Sequence, residues 1–330
     1  MRLLSLPALL LALTPSHAQE KPAELIVHNG QVLSVDARFS IAQAVAVRDG
    51  KVLAVGTNES ILKLKGPNTR VIDARGQSVL PGLYDSHTHP LGAALSELSG
   101  PLPDLRSLKD VLDHVKKKAA ELPEGQWIVI RYAFPTRLDE ARFPTREELD
   151  RVAPKHPVLY HAGPAGVVNS MALQVSGITR DTPNPRTGVV VKDPKTGEPT
   201  GMLRNAYGVL KGVPGDAARF TTAQKREALK KLFSLYNAQG LTSIADRSAG
   251  RESLDLYLAL KEKGELTLRV NVARSFNPLG TRDEIVKRLD DLPGKDGKGG
   301  PTGVGDEWVR IGPIKIFLDG GMLNGTAYMR

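Results

Sequence analysis

A switch in the pattern of turns and apolar runs, at Pro81-Gly82, divides this sequence into two kinds of folding problem. From Glu24 to Val79, short strand-like runs are broken by tight-turn pairs. Leu25-Ile26-Val27 leads through Asn29-Gly30 to Val32-Leu33-Ser34-Val35, and Ala44 to Arg48 leads through Asp49-Gly50 to Val52 and Val55. Asn-Gly and Asp-Gly supply the positive φ angles of two-residue turns, so each pair predicts a β-hairpin, and the stretch predicts a small antiparallel sheet. After Gly82, strand-like and helical runs alternate. Leu108, Val111, Leu112 and Val115 recur at helical spacing within Ser107 to Glu121, and Thr222 to Ala238 reads as a second helix closed by Gly240. Strand candidates are 128–130, 158–160, 242–245, 268–272 and 314–318, and this alternation predicts an α/β sheet or barrel. Residues 181–200, rich in Pro, Gly and charge, read as a β-ribbon excursion, and 293–305 as a flexible connection.

Composition removes several function classes. There are 0 Cys, which excludes a cysteine zinc site, a thiol nucleophile and disulfide stapling. Stability must therefore come from a core, and 330 residues with 41% hydrophobic content can build one large domain or two smaller ones. The formal charge of +9 suggests nucleic acid at first sight. The basic residues, however, are dispersed beside acids, as in Lys109-Asp110, and aromatics make up only 5%, so a solvated basic surface is preferred and no nucleic-acid partner is expected. Arg2, the apolar run Leu3 to Leu13 and the small-residue site Ser16-His17-Ala18 read as a signal peptide over 1–18. A membrane anchor is the competing reading, but the run falls short of the roughly 20 residues that span a bilayer. An exported, periplasmic or secreted chain without a transmembrane span is the expectation.

The stretch Val79-Leu80-Pro81-Gly82-Leu83-Tyr84-Asp85-Ser86-His87-Thr88-His89-Pro90 carries the chemistry. In a strand, side chains two apart share a face, so His87 and His89 would present both imidazoles together. Neutral imidazole is the commonest ligand for zinc and similar divalent metals, and Asp85 could orient the rings. A chance pair of surface histidines is the other reading of the same spacing.

The string "VLPGLYDSHTHP", following "VIDARG", resembles the start of the amidohydrolase superfamily, and within it the amidohydrolase-3 group of N-substituted formamide deformylase-like enzymes. "AVAVRDGKVLAVGTNE", "LDRVAPKHPVLYHAGPAGVVNSMAL", "GEPTGMLRNA", "GLTSIADRS" and "IKIFLDGGMLNGTA" follow the family order from about Glu24 to Arg330. The resemblance implies a β-sandwich portion at 19–80, followed over 81–330 by a metal-dependent-hydrolase (β/α)8 barrel, incomplete in this chain. It also implies one or two divalent ions, zinc in type, bound by His87 and His89. Lys315 matches the lysine that can react with carbon dioxide to give a bridging carbamate, and Asp319 falls in the adjoining "DG" as a supporting residue. On spacing, Lys315, Phe317 and Asp319 share one strand face, with Ile314, Ile316 and Leu318 on the other. A lysine snorkelling at a strand edge is the alternative. The implied reaction is hydrolysis of a non-peptide C–N bond in a small N-substituted or linear amide by metal-activated water.

The chain departs from the family at two places. Ala162-Gly163-Pro164 stands where Asp-Gly-His is usual, with His161 displaced nearby and read first as structural. No histidine follows His161, and the expected later histidines and proton-shuttling aspartate have no match. Asp246 beside Arg247 reads as a simple ion pair. About six strands after Pro81, some in the excursion, fall short of the eight of a closed barrel. Three readings stay open: part of an amidohydrolase, an inactive remnant that misfolds or associates with another chain, and an exported metal-binding protein without catalysis.

Overall fold

The computed structural model describes residues 21–100, 103–131, 133–186, 188–215, 220–292, 302–318 and 321. The expected signal peptide, Asp319 and most of the connection at 293–305 lie outside them. The chain divides into two compact units, 1–82 and 83–330.

In the first unit the elements are β1 (Ala23–His28), β2 (Gln31–Leu33), β3 (Ile41–Ala42), β4 (Ala44–Arg48), β5 (Lys51–Gly56), α1 (Asn58–Leu62), β6 (Lys65–Asp73) and β7 (Ser78–Val79). They form a four-stranded sheet, β5-β4-β1-β6, and a three-stranded one, β3-β2-β7. Asp49 (φ +52°) and Gly50 (φ +69°) close the β4–β5 hairpin, with both central residues in the left-handed region that such a turn demands. The hairpin expected at Asn29-Gly30 does not form. β1 pairs with β4 and β6, whereas β2 pairs with β3 and β7. Of the two turn residues only Asn29 has positive φ, at 56°. Its N–H donates to Asn58 Oδ1 (2.8 Å) and its side-chain amide to Asp73 Oδ1 (2.9 Å). The pair is therefore a corner where the chain changes sheets. Ile26, Ala44 and Ala46, fully buried, form this unit's core with Ala23 and Ile61.

The second unit opens with β8 (Leu83–Thr88) and α2 (Pro90–Leu98). An inserted body follows: α3 (Leu108–Glu121), β9 (Ile128–Arg131), α4 (Arg146–Val152), β10 (Val158–Ala162), β11 (Ala165–Val168), α5 (Ser170–Ser176), β12 (Val189–Lys192) and β13 (Pro199–Arg204). Then come α6 (Thr222–Ala238), β14 (Leu241–Ala249), α7 (Arg251–Glu262), β15 (Arg269–Ser275), α8 (Arg282–Asp290) and β16 (Val309–Lys315). The inserted strands make a five-stranded sheet, β12-β13-β11-β10-β9, in which only β9 and β10 run parallel. β12 and β13 are the ribbon expected at 181–200. The strands at Ile128 and Val158, expected in the same α/β alternation as those at 242–318, belong instead to this separate sheet.

The other sheet, β16-β15-β14-β8, is parallel throughout. Nine described strands follow Pro81 against the expected count of about six, four of them in this sheet, and among the described residues no barrel closes: β8 and β16 each have one neighbour. Strands of a parallel sheet covered on both faces read as continuous apolar runs. Here the apolar cluster draws on alternate residues: Ile244, Val270, Val272, Val309 and Ile311 are buried with Leu229, Phe233, Leu254 and Tyr257 of α6 and α7 and with Ala94 of α2, while Asn271 is half-buried and Arg310 exposed. β16 also lies earlier than expected. It begins at Val309 and ends at Lys315, and Ile314, Ile316 and Leu318 are 38%, 40% and 92% exposed, so the buried aliphatic face predicted over 314–318 is not present. The buried face comes from Val309 and Ile311, hidden in the sequence by the Gly312-Pro313 that follows.

Candidate metal centre

In parallel α/β sheets, ligands gather outside the carboxyl ends of the strands, and the candidate residues lie there. His87 is the penultimate residue of β8. His89 lies one residue past the strand, in the cap position of α2 (φ −132°, ψ 73°), with Pro90 starting the helix at a position that needs no N–H. The strand-face argument thus holds only for His87. Even so, the two rings stand edge to face with centroids 5.4 Å apart. Desolvation, then the charges of His89, Lys315 and Arg247, push the His87 pKa down against the pull of Asp85, which keeps its lone pair available at neutral pH.

Asp85 was expected to orient the rings. Its carboxylate instead accepts the His87 backbone N–H at 2.9 Å, fixing the main chain at the end of β8. Lys315, half-buried, ends β16 opposite Ser275, with Nζ 4.8 Å from the Phe317 ring centroid. His161 is on β10 in the inserted sheet, stacked on Tyr207 at 4.4 Å between centroids. Its Nδ1 accepts from the Gly163 N–H at 3.4 Å, which suits a structural role.

Sequence reasoning missed the part played by Asp246. Its register partner across the sheet is Thr88, the residue between the two histidines. The carboxylate is 2% exposed; Oδ2 accepts from the Tyr257 hydroxyl (2.8 Å), Oδ1 from the Ser248 N–H (3.1 Å), and Oδ1 lies 3.8 Å from His89 Nδ1. Burial, then the Asp246 charge, raise the Tyr257 phenol far above its ordinary pKa, so it stays a donor. The expected Asp246–Arg247 pair is replaced by a different contact: Arg247 Nε donates to the Ser86 carbonyl at 2.7 Å, as strand alternation turns neighbours to opposite faces. The available signal was a carboxylate directly after the buried Ile244 and Ala245, since a charge in such a run requires partners.

Two adjacent imidazoles, one held neutral, with a buried carboxylate behind the other, fit as part of a divalent-metal shell. Among the described residues no three His, Cys, Asp or Glu side chains converge closely enough to form a cage, so the fit is to a partial shell.

Residues 70–330 match the model of the amidohydrolase family. N-substituted formamide deformylase of Arthrobacter pascens is 34% identical over 90% of this chain and 54% of its own length. The chain belongs to the amidohydrolase family. Another relative, the protein LONG AFTER FAR-RED 3 of Arabidopsis thaliana, is 26% identical to this family member over 92% of the chain and 52% of its own. The chain therefore spans about half the length of these curated relatives. An uncharacterized metal-dependent hydrolase from Pyrococcus horikoshii shares the fold, at TM-score 0.54 and 20% identity, over 90% of this chain and 55% of that one.

Proposed function

We propose that this amidohydrolase chain carries the first part of a metal-dependent hydrolytic site acting on non-peptide C–N bonds, with N-substituted amides as the substrate class. The observation behind the reading is the His87–His89 pair at the carboxyl end of the parallel sheet, with the His87 pKa pushed down by desolvation and Asp246 beside His89. The likeness to a formamide deformylase supports the substrate class. His87 and His89 would hold a zinc-type ion, with Lys315 as a further ligand if carbamylated. Such an ion would supply Lewis acidity, making water a better nucleophile near neutral pH and polarising the amide carbonyl.

The test is elemental analysis of the purified chain after zinc loading. Zinc should be retained by the wild type and lost from the His87→Ala/His89→Ala double variant, and equal retention would defeat the reading. Incubation with 13C-bicarbonate should place a carbamate resonance on the wild type that Lys315→Ala lacks. A second reading, metal binding without hydrolysis, rests on the same His87–His89 pair, and turnover of N-substituted formamides would discard it. Export is part of the proposal. Amino-terminal sequencing of protein recovered outside the cytoplasm should begin at Gln19.

A further inference from the structure

Asp246 is a buried carboxylate whose position is fixed by two hydrogen bonds, while the His89 ring beside it is half exposed, with 53% of its side chain open to solvent. The fixed partner is thus the carboxylate and the adjustable one the imidazole. Tyr257, fully buried on α7, anchors Oδ2 from the helix side, and the Ser248 N–H anchors Oδ1 from the strand itself. Oδ1 faces Nδ1 of His89 at 3.8 Å, and a small rotation of the exposed ring brings the two into hydrogen-bonding range. An imidazole that donates Nδ1–H to a carboxylate must carry its lone pair on Nε2, so a carboxylate placed there selects both tautomer and ring direction.

We infer that Asp246, clamped by Tyr257, is a positioning residue that holds His89 as the Nδ1–H tautomer with Nε2 turned toward the metal. The inference rests on the metal reading above. It adds a chain of three side chains from β8 to α7: the ligand, the carboxylate that orients it, and the phenol that fixes the carboxylate.

The experiment uses the full chain labelled with 15N-histidine. Long-range 1H–15N correlation spectra of the metal-free protein, with His89 assigned through His89→Ala, should show Nδ1–H in the wild type. Asp246→Asn should shift the tautomer toward Nε2–H and weaken zinc affinity by about 10- to 100-fold. Tyr257→Phe, which preserves shape, should give a smaller loss in the same direction. It serves as the second test if Asp246→Asn does not fold. An unchanged His89 tautomer in both variants would overturn the inference, as would a fall in zinc affinity with no tautomer change, which would make Asp246 a ligand. Failure of the metal reading would look different: zinc would be indifferent to His87→Ala/His89→Ala, while the tautomer result would stand on its own.

Discussion

Asn169 is completely buried, yet its amide is fully used. Oδ1 accepts the N–H groups of Val158 (2.9 Å) and Ala172 (3.0 Å), and Nδ2 donates to the carbonyls of His156 (2.9 Å) and Ala153 (3.2 Å). One side chain thus ties the end of α4 to β10 and caps α5. Asn169→Ala would take this partner from the N–H groups of Val158 and Ala172 and the His156 carbonyl, while the Ala153 carbonyl keeps the His156 N–H, and a loss of about 2–4 kcal/mol in urea unfolding is expected. Asn169→Asp should fare no better, because its carboxylate would face two carbonyls. The "VNS" string drew attention in the sequence only as a family marker, since nothing in spacing says which backbone groups an asparagine will meet. The same limit explains Asp246. His87 and His89 could be read because spacing of two is local information, whereas Asp246 acquires its meaning from Thr88 and Tyr257 on other elements. Asp319 lies outside the described residues.

At the N-terminus of α4, Thr145 and Glu148 form a capping box, and Glu148 also takes both guanidinium arms of Arg142 at 2.8 and 2.9 Å. That hydrogen bonding, with the Thr145 N–H and the Arg142 charge, lowers its pKa from 4.5 to about 2. A carboxylate depressed in the folded state adds stability above its unfolded pKa, and that stability drains away as pH falls through the folded value. Glu148→Gln should therefore cost about 1–2 kcal/mol at pH 7. The gap between variant and wild type should narrow from pH 4.5 downward and vanish near pH 2 in denaturant titrations. Helices of this kind were legible from sequence because caps and periodicity are local: Ser107 opens α3, and Gly240, at φ +82°, follows α6 as expected. Strands were legible as segments but not as partners. Asn29-Gly30 had hairpin chemistry and became a corner, because β1 found β4 and β6 instead of its neighbour in sequence.

Across the chain as a whole, two sheets of different character share the second unit, and nothing in a run such as Ile128-Val129-Ile130 states which one it will join. The parallel sheet has an open side at β8 and at β16 among the described residues, with Leu83, Tyr84, Ile316 and Phe317 exposed nearby. Unpaired strand edges with apolar flanks invite association. The chain of residues 19–330 is expected to show a concentration-dependent mass above the monomer in sedimentation equilibrium, reduced by Tyr84→Lys. A monodisperse, cooperatively melting monomer would refute this. No described helix is long and apolar enough to cross a membrane. β8 ends at Thr88, and its partner β14 does not begin until Leu241, with the entire inserted sheet between them. Bringing distant strands together is slow, while a body closed by its own short-range pairings forms early. The insertion should thus gain hydrogen-exchange protection first during refolding. The strand that carries His87, with His89 just past its end, would be secured last, so the two imidazoles would meet only after the rest of their unit had settled.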